Sequence, residues 1–217
     1  MWLGEVRRGE ARQGMENKNK KGEEMEILHI KLNGLTPTLM HNPAGSMTQA
    51  GGRGIGRKVI PTPEEEAAAS RYLLPNGNMG IPASAILGSL LQGARGYRIG
   101  MRSAADILAG AIIGKDDYFP LLRDDKPIAG EDYTIDSRRA VVKRQGIIRN
   151  RAKVELPWQV EAVFEFNSEI ANIEQVKTAL TNAGLTVGVL DGRAKVKGSP
   201  SAGLWFGKFE VTDVWSE

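Results

Sequence analysis

Two periods of hydrophobic and polar alternation run along this chain, and the changes from one to the other mark out its elements. From Glu26 to Asn33, Leu28, Ile30 and Leu32 fall on one side and Ile27, His29 and Lys31 on the other, a period of two that predicts a half-buried first strand. From Ile81 to Arg95 the period lengthens: Ile86, Leu87, Leu90, Leu91 and Ala94 recur at helical spacing behind Pro82, which fits a first turn where its missing N–H is not needed. One face of that helix is apolar enough to be buried. Ser84, Gly88 and Gly93 are small enough for another backbone to approach, and Arg95 leaves a cation at the C-terminal end, where the helix dipole favours it. Taken alone, the segment reads as a core helix.

The remaining elements follow from turn and capping signals. Thr62-Pro63-Glu64-Glu65 predicts an N-cap, a proline in the first turn and a capping box opening a short helix to about Leu73, so its glutamates serve as cap and dipole residues rather than catalysts. Ser103 to Asp106 has the form of a second capping box before the apolar segment Ile107 to Ile113. Tyr133 to Val142 reads as a strand and Lys143 to Gly146 as a hairpin turn. The returning arm, from near Ile147, is predicted to run on as one long strand with Val154, Leu156, Trp158, Val160, Ala162, Phe164 and Phe166 on one face. Pro157 marks a bulge or an edge within it. Asn172 caps a helix with Ile173, Val176 and Leu180 inward, ending at Gly184, and Leu204 to Val214 forms the last strand.

Residues 1–24 are polar, charged and glycine-rich, too poor in apolar groups to repay ordering, and are expected to be a loose tail with Met15 or Met25 as alternative natural starts. Residues 25–217 then make one domain. No apolar run approaches the ~20 residues of a membrane span, and the N-terminus lacks a signal-peptide core, which predicts a cytoplasmic chain without a membrane partner. With no cysteine and only His29 and His41, no metal site or cofactor is expected. The acidic stretch holding Asp116, Asp117, Asp124, Asp125, Glu131 and Asp132 reads as solvated loop charge rather than a metal pair.

Net charge is only +3, but its placement changes the picture. Between Ile27 and Ala105 the only acids are Glu64, Glu65 and Glu66, against bases that include Arg53, Arg57, Lys58 and Arg95. Ser137 to Val154 holds seven bases and no acid: Arg138, Arg139, Lys143, Arg144, Arg149, Arg151 and Lys153. Gly192 to Phe209 has no acid and carries Arg193, Lys195, Lys197 and Lys208. Three acid-free basic tracts point to a polyanion, most simply a nucleic acid, if the fold brings them together. Gly52 to Arg57 has the outline of a phosphate loop but lacks the following Gly-Lys-Ser/Thr, and reads better as a flexible basic loop against a nucleic-acid backbone.

Without its insertions the order is strand, helix, strand, strand, helix, strand. That order predicts an α+β chain of ferredoxin-like (RRM-like) βαββαβ type with a long hairpin thumb and loop and helix insertions. Ile81-Pro82-x-Ser84-x-Ile86-x-Gly88-x-Leu90, followed by Arg95, resembles the "IPGSSLKGxLR" helix signature of the RAMP (repeat-associated mysterious protein) superfamily, with Ala83 where that family usually has glycine. Gly188-x-x-Asp191-Gly192-Arg193, Gly198, Gly203 and Gly207-x-Phe209 are similar to its C-terminal glycine-rich loop.

The resemblance implies a backbone subunit of a CRISPR-like effector complex, from a cellular system, a phage or a mobile element. Its hairpin would lie on a guide RNA that pairs with target DNA or RNA. Copies of the chain would assemble along the guide, alone or with other effector subunits. Members of the family that cut RNA use an aspartate after strand one, and no acid occurs between Ile27 and Pro63, so a non-catalytic role is expected. His41 is the one general-base candidate, as histidines are in the family's guide-processing endoribonucleases. No partner accompanies it in sequence, and it reads better as an RNA-contact or loop-structuring residue. The alternatives are that endoribonuclease and a phage single-strand nucleic-acid-binding protein.

Overall fold

Strand β1 (Glu26–Gly34) forms with the predicted alternation, Leu28, Ile30 and Leu32 buried and the residues between them only partly covered. The computed structural model describes residues 25–45, 61–142, 145–194 and 204–217. The expected tail at 1–24, the loop cations Arg53, Arg57 and Lys58, the hairpin-tip bases Lys143 and Arg144, and Lys195 and Lys197 lie outside the described residues. After β1 come β2 (Thr38–Leu39), α1 (Pro63–Ala69), β3 (Gly80–Pro82), α2 (Ala83–Gly93), β4 (Arg98–Ile99), β5 (Arg102–Ser103) and α3 (Ala104–Ala111). Then follow β6 (Ile112–Gly114), β7 (Tyr118–Arg123), β8 (Lys126–Pro127), β9 (Thr134–Val142), β10 (Gln145–Val154), β11 (Gln159–Phe166), α4 (Ile173–Thr186) and β12 (Phe209–Ser216).

The chain is mixed α+β around a mostly antiparallel sheet. Its seven strands run in the order β12-β1-β11-β7-β3, with β6 also on β11 and β8 on β7. β1 is central, pairing with β11 from Glu26↔Phe166 to Asn33↔Gln159 and with β12 across a register shift at Lys31/Leu32. α2 and α4 pack on each other and close the core over the face of β1 that carries Leu28, Ile30 and Leu32, against Val160, Ala162, Phe164 and Phe166 of β11. The hairpin β9–β10 belongs to a separate three-stranded sheet, in which β2 pairs with β10 at Val154↔Thr38 and Lys153↔Leu39.

Capping chemistry sets several boundaries. Thr62 accepts from the Glu65 amide at 3.2 Å while the Glu65 carboxylate accepts from the Thr62 amide at 2.9 Å, and Asn172 with Gln175 repeats the arrangement at the start of α4. In α2 the small residue that another backbone approaches is Gly93: a Cβ there would lie 2.2 Å from the Ala179 carbonyl oxygen, whereas Gly88 faces open space and Ser84 is exposed. Ser89 joins the buried face because its hydroxyl donates to the Gly188 carbonyl at 2.8 Å.

Other expectations are corrected. The long strand predicted from Ile147 to Phe166 is two strands in two sheets: at Glu155 to Trp158, around a cis Leu156–Pro157 bond, the chain leaves the hairpin sheet and enters the main one, with Leu156 exposed. Alternation continues across the break because both strands bury a face against the same core. The main-sheet partners of β11 on its far side are β6, from the end of the apolar segment predicted at Ile107 to Ile113, and β7, from the region read as acidic surface, and not Tyr133 to Val142. Apolar Phe119 and Leu121 lie among those charges and carry β7 inward, and buried Ile112 does the same for β6. Ser103 occupies the N-cap of α3 without a side-chain hydrogen bond, α1 stops at Ala69, α4 runs to Thr186, and the last strand begins at Phe209 and reaches Ser216.

Candidate nucleic-acid interface

The root of the β9–β10 hairpin is where β2, α1, the segment 40–42 and the glycine-rich connection meet. The connection takes a left-handed backbone at Gly188 (φ 83°) and Gly207 (φ 68°), which lets its two described limbs touch: the Val189 amide donates to the Gly207 carbonyl at 2.8 Å. A Cβ on Gly207 would sit 2.1 Å from the Val189 carbonyl oxygen, so no side chain fits there. The Asp191 amide then donates to the Leu39 carbonyl at 3.0 Å, tying the connection to β2 and bringing the Asp191 carboxylate to the hairpin.

The acid-free run of the hairpin meets acids that flank it in sequence and acids from other parts of the fold. Arg138 Nε lies 2.8 Å from Asp136 Oδ2, Arg149 Nη1 is 3.7 Å from Glu66 Oε1 of α1, and Lys153 Nζ is 2.5 Å from Glu155 Oε1. Arg151 Nε stands 2.6 Å from Asp191 Oδ2, a charge contact without hydrogen-bond geometry. These four bases are held and largely neutralised at the hairpin root. Pairing also lets Arg138 and Arg149 sit directly opposite each other in the ladder, an arrangement that would otherwise cost repulsion energy.

Farther along the hairpin Arg139 is exposed and has no ion pair among the described residues. The same holds for Arg95 after α2, and Arg193 and Lys208 are half-buried, also without an ion pair among the described residues. Arg193 and Lys208 lie on the two limbs of the glycine-rich connection, and Arg138 reaches that connection with its guanidinium 4.6 Å from the centre of the Phe206 ring. Arg95 instead lies beside the β4–β5 hairpin with Arg98 and Arg102, at the other end of α2 from β3. Of the candidate bases that are described, all but Arg95 lie on the hairpin and the glycine-rich connection.

His41 is half-buried beside Asp191, Arg149 and Arg151. Burial pushes its imidazole below the ordinary value, Asp191 opposes the shift and the two arginines reinforce it, so the ring is neutral at pH 7. The Tyr72 hydroxyl donates to the His41 backbone carbonyl at 2.8 Å, and burial, then Tyr118 and Asp191, raise its own pKa, so it stays a pinned, protonated donor. The histidine can accept a proton, but its neighbouring tyrosine is committed to holding the backbone. Among the described residues no group of three or more His, Asp and Glu is arranged to hold a metal, and no helix is long and apolar enough to cross a membrane.

The open face of the main sheet differs in character. His29 stacks on Trp215 at 4.7 Å and lies 3.2 Å from Glu217, and Lys31 pairs with Glu161 at 2.7 Å. Lys31 there is matched to a carboxylate, whereas Arg139, Arg193 and Lys208, beyond the paired hairpin root, have no ion pair among the described residues.

Sequence reading missed Glu66, Asp136 and Asp191 as partners of the hairpin bases, because each comes from outside the acid-free run. It also passed over Trp205, which is 56% exposed on the glycine-rich connection. A tryptophan in a glycine-rich basic tract was the signal available. The chain matches no protein-family model and no curated protein.

Proposed function

We propose that this chain is a non-catalytic subunit that holds a single-stranded guide RNA by its backbone, in a RAMP-type complex that pairs the guide with target DNA or RNA. The observation that carries this reading is the hairpin β9–β10, which forms its own sheet, is rooted on the glycine-rich connection, and has Arg139 exposed beyond the paired root. We propose likewise that the domain is of ferredoxin-like βαββαβ type. This reading is supported by the order β12-β1-β11-β7, with α2 lying in sequence between β1 and β7 and α4 between β11 and β12. Sequence information would then come from base pairing while the protein contributes shape and phosphate contacts.

One observation favours a second reading, a guide-processing endoribonuclease: His41 is neutral and lies close to two arginines and a carboxylate. Two measurements on the purified chain test both. Single-stranded RNA should bind with a salt dependence whose log–log slope is about 0.7 for each phosphate the protein neutralises, so Arg139→Ala with Lys208→Ala should flatten it. RNA recovered intact after incubation supports the subunit; cleavage that disappears in His41→Ala supports the nuclease. Binding that is absent, or indifferent to salt, rejects both.

A further inference from the structure

Trp205 is more exposed than a surface tryptophan needs to be, and its backbone is fixed. Its carbonyl accepts from the Thr36 hydroxyl at 2.8 Å, the Phe206 amide donates to the Gly192 carbonyl at 3.2 Å, and the Gly207 amide donates to the Pro37 carbonyl at 2.9 Å. The Phe206 ring, 4% exposed, lies 6.2 Å away and only 8° from parallel, and Arg138 sits on that same ring. An indole is thus presented to solvent on a rigid, locally planar support. Basic residues lie on the same two limbs of the connection. The Thr36 hydroxyl that donates to Trp205 accepts from the Lys208 amide at 2.9 Å, and Arg193 follows the glycine whose carbonyl receives Phe206.

An aromatic face on a connection that carries cations is complementary to a nucleobase carried on a phosphate backbone, and a nucleobase offers such a face only where it is unpaired. We infer that Trp205 is a stacking platform for one unpaired base, so the strand that crosses the glycine-rich connection is single-stranded there. This rests on the nucleic-acid reading above and adds the part of the ligand that is recognised. A duplex has its bases stacked on each other and would engage only the cations.

The test compares two strands of equal phosphate number, an oligouridine and its abasic counterpart, titrated side by side over the same series of salt concentrations. Trp205→Ala should weaken oligouridine binding by about ten-fold, the usual worth of a stacked base, and leave the abasic strand unchanged. Trp205→Phe should keep most of the preference for the base-bearing strand, and Trp205→Gln provides the same comparison if the alanine chain does not fold. Lys208→Ala should weaken both strands alike and lower the salt slope by about 0.7. Oligouridine affinity unchanged without the indole overturns the stacking role and leaves the backbone-binding reading standing. A wild-type chain that binds neither strand overturns both.

Discussion

Gly93 and Gly88 sit in the same helix under opposite constraints. A methyl group on Gly93 would lie 2.2 Å from the Ala179 carbonyl oxygen and 2.6 Å from the Ala183 nitrogen, both backbone atoms of α4 that cannot rotate aside. Gly93→Ala should therefore lower stability by about 1–3 kcal/mol or more, as overpacked cores do, read as a fall in the urea midpoint. Gly88 has nothing within 4 Å of the same position, and Gly88→Ala should raise stability by about 0.5–1 kcal/mol through helix propensity alone. His41 gives a pH signature. Its folded-state pKa lies below the ordinary 6.5, so the unfolded chain binds more protons between the two values and stability rises with pH across that window. The contribution is complete above about 6.5 and is lost as pH falls through the folded value. Urea melts from pH 7.5 downward should show this decline in the wild type and a flatter one in His41→Asn.

Between elements, α1 braces the hairpin. The Glu66 carboxylate accepts from the Asn150 side-chain amide at 2.7 Å, Asn150 in turn accepts from the Ser137 hydroxyl at 2.6 Å, and the Ser70 hydroxyl accepts from the Ala152 amide at 2.8 Å. Asn150 is only 9% exposed, so Glu66→Ala leaves a buried donor without its acceptor, at a cost of about 1–3 kcal/mol. The loss should be local: amides of β9 and β10 exchange faster by about ten-fold or more while those of β1 and β11 hold, as expected when one cooperative unit loosens. Equal acceleration in both sheets would mean that the hairpin is not a separate unit.

For the whole molecule, charge placement matters more than net charge. The hairpin root is paired with carboxylates, Lys31 on the open sheet face is matched to Glu161, and Arg139, Arg193 and Lys208 have no ion pair among the described residues. A domain of this size with one hairpin spans only a few nucleotides, since comparable single-strand modules cover about 4 to 16. On the function proposed above, a guide able to specify a target would need several copies in head-to-tail contact. Masses in solution should climb in protomer steps as the guide RNA lengthens, and a one-to-one complex at every length would reject assembly along the strand.

The sequence by itself determined what depends on near neighbours. Alternation over a few residues located β1 and the apolar part of β11, helical spacing located α2, and the capping box of α1 and the Asn172 cap of α4 could be read because a cap and the amide it serves are three residues apart. Tertiary structure decided what depends on partners distant in the chain. It divided the predicted long strand between two sheets, because alternation records which residues are buried and not which strand they pair with. It took one sheet partner of β11, β7, from a stretch that composition marked as acidic surface, because Phe119 and Leu121 are few among the charges yet sufficient to pack. It also turned an acid-free run of bases into a set of ion pairs, because Glu66 and Asp191 reach Arg149 and Arg151 only once α1 and the glycine-rich connection fold against the hairpin, and electrostatic interaction follows distance in space.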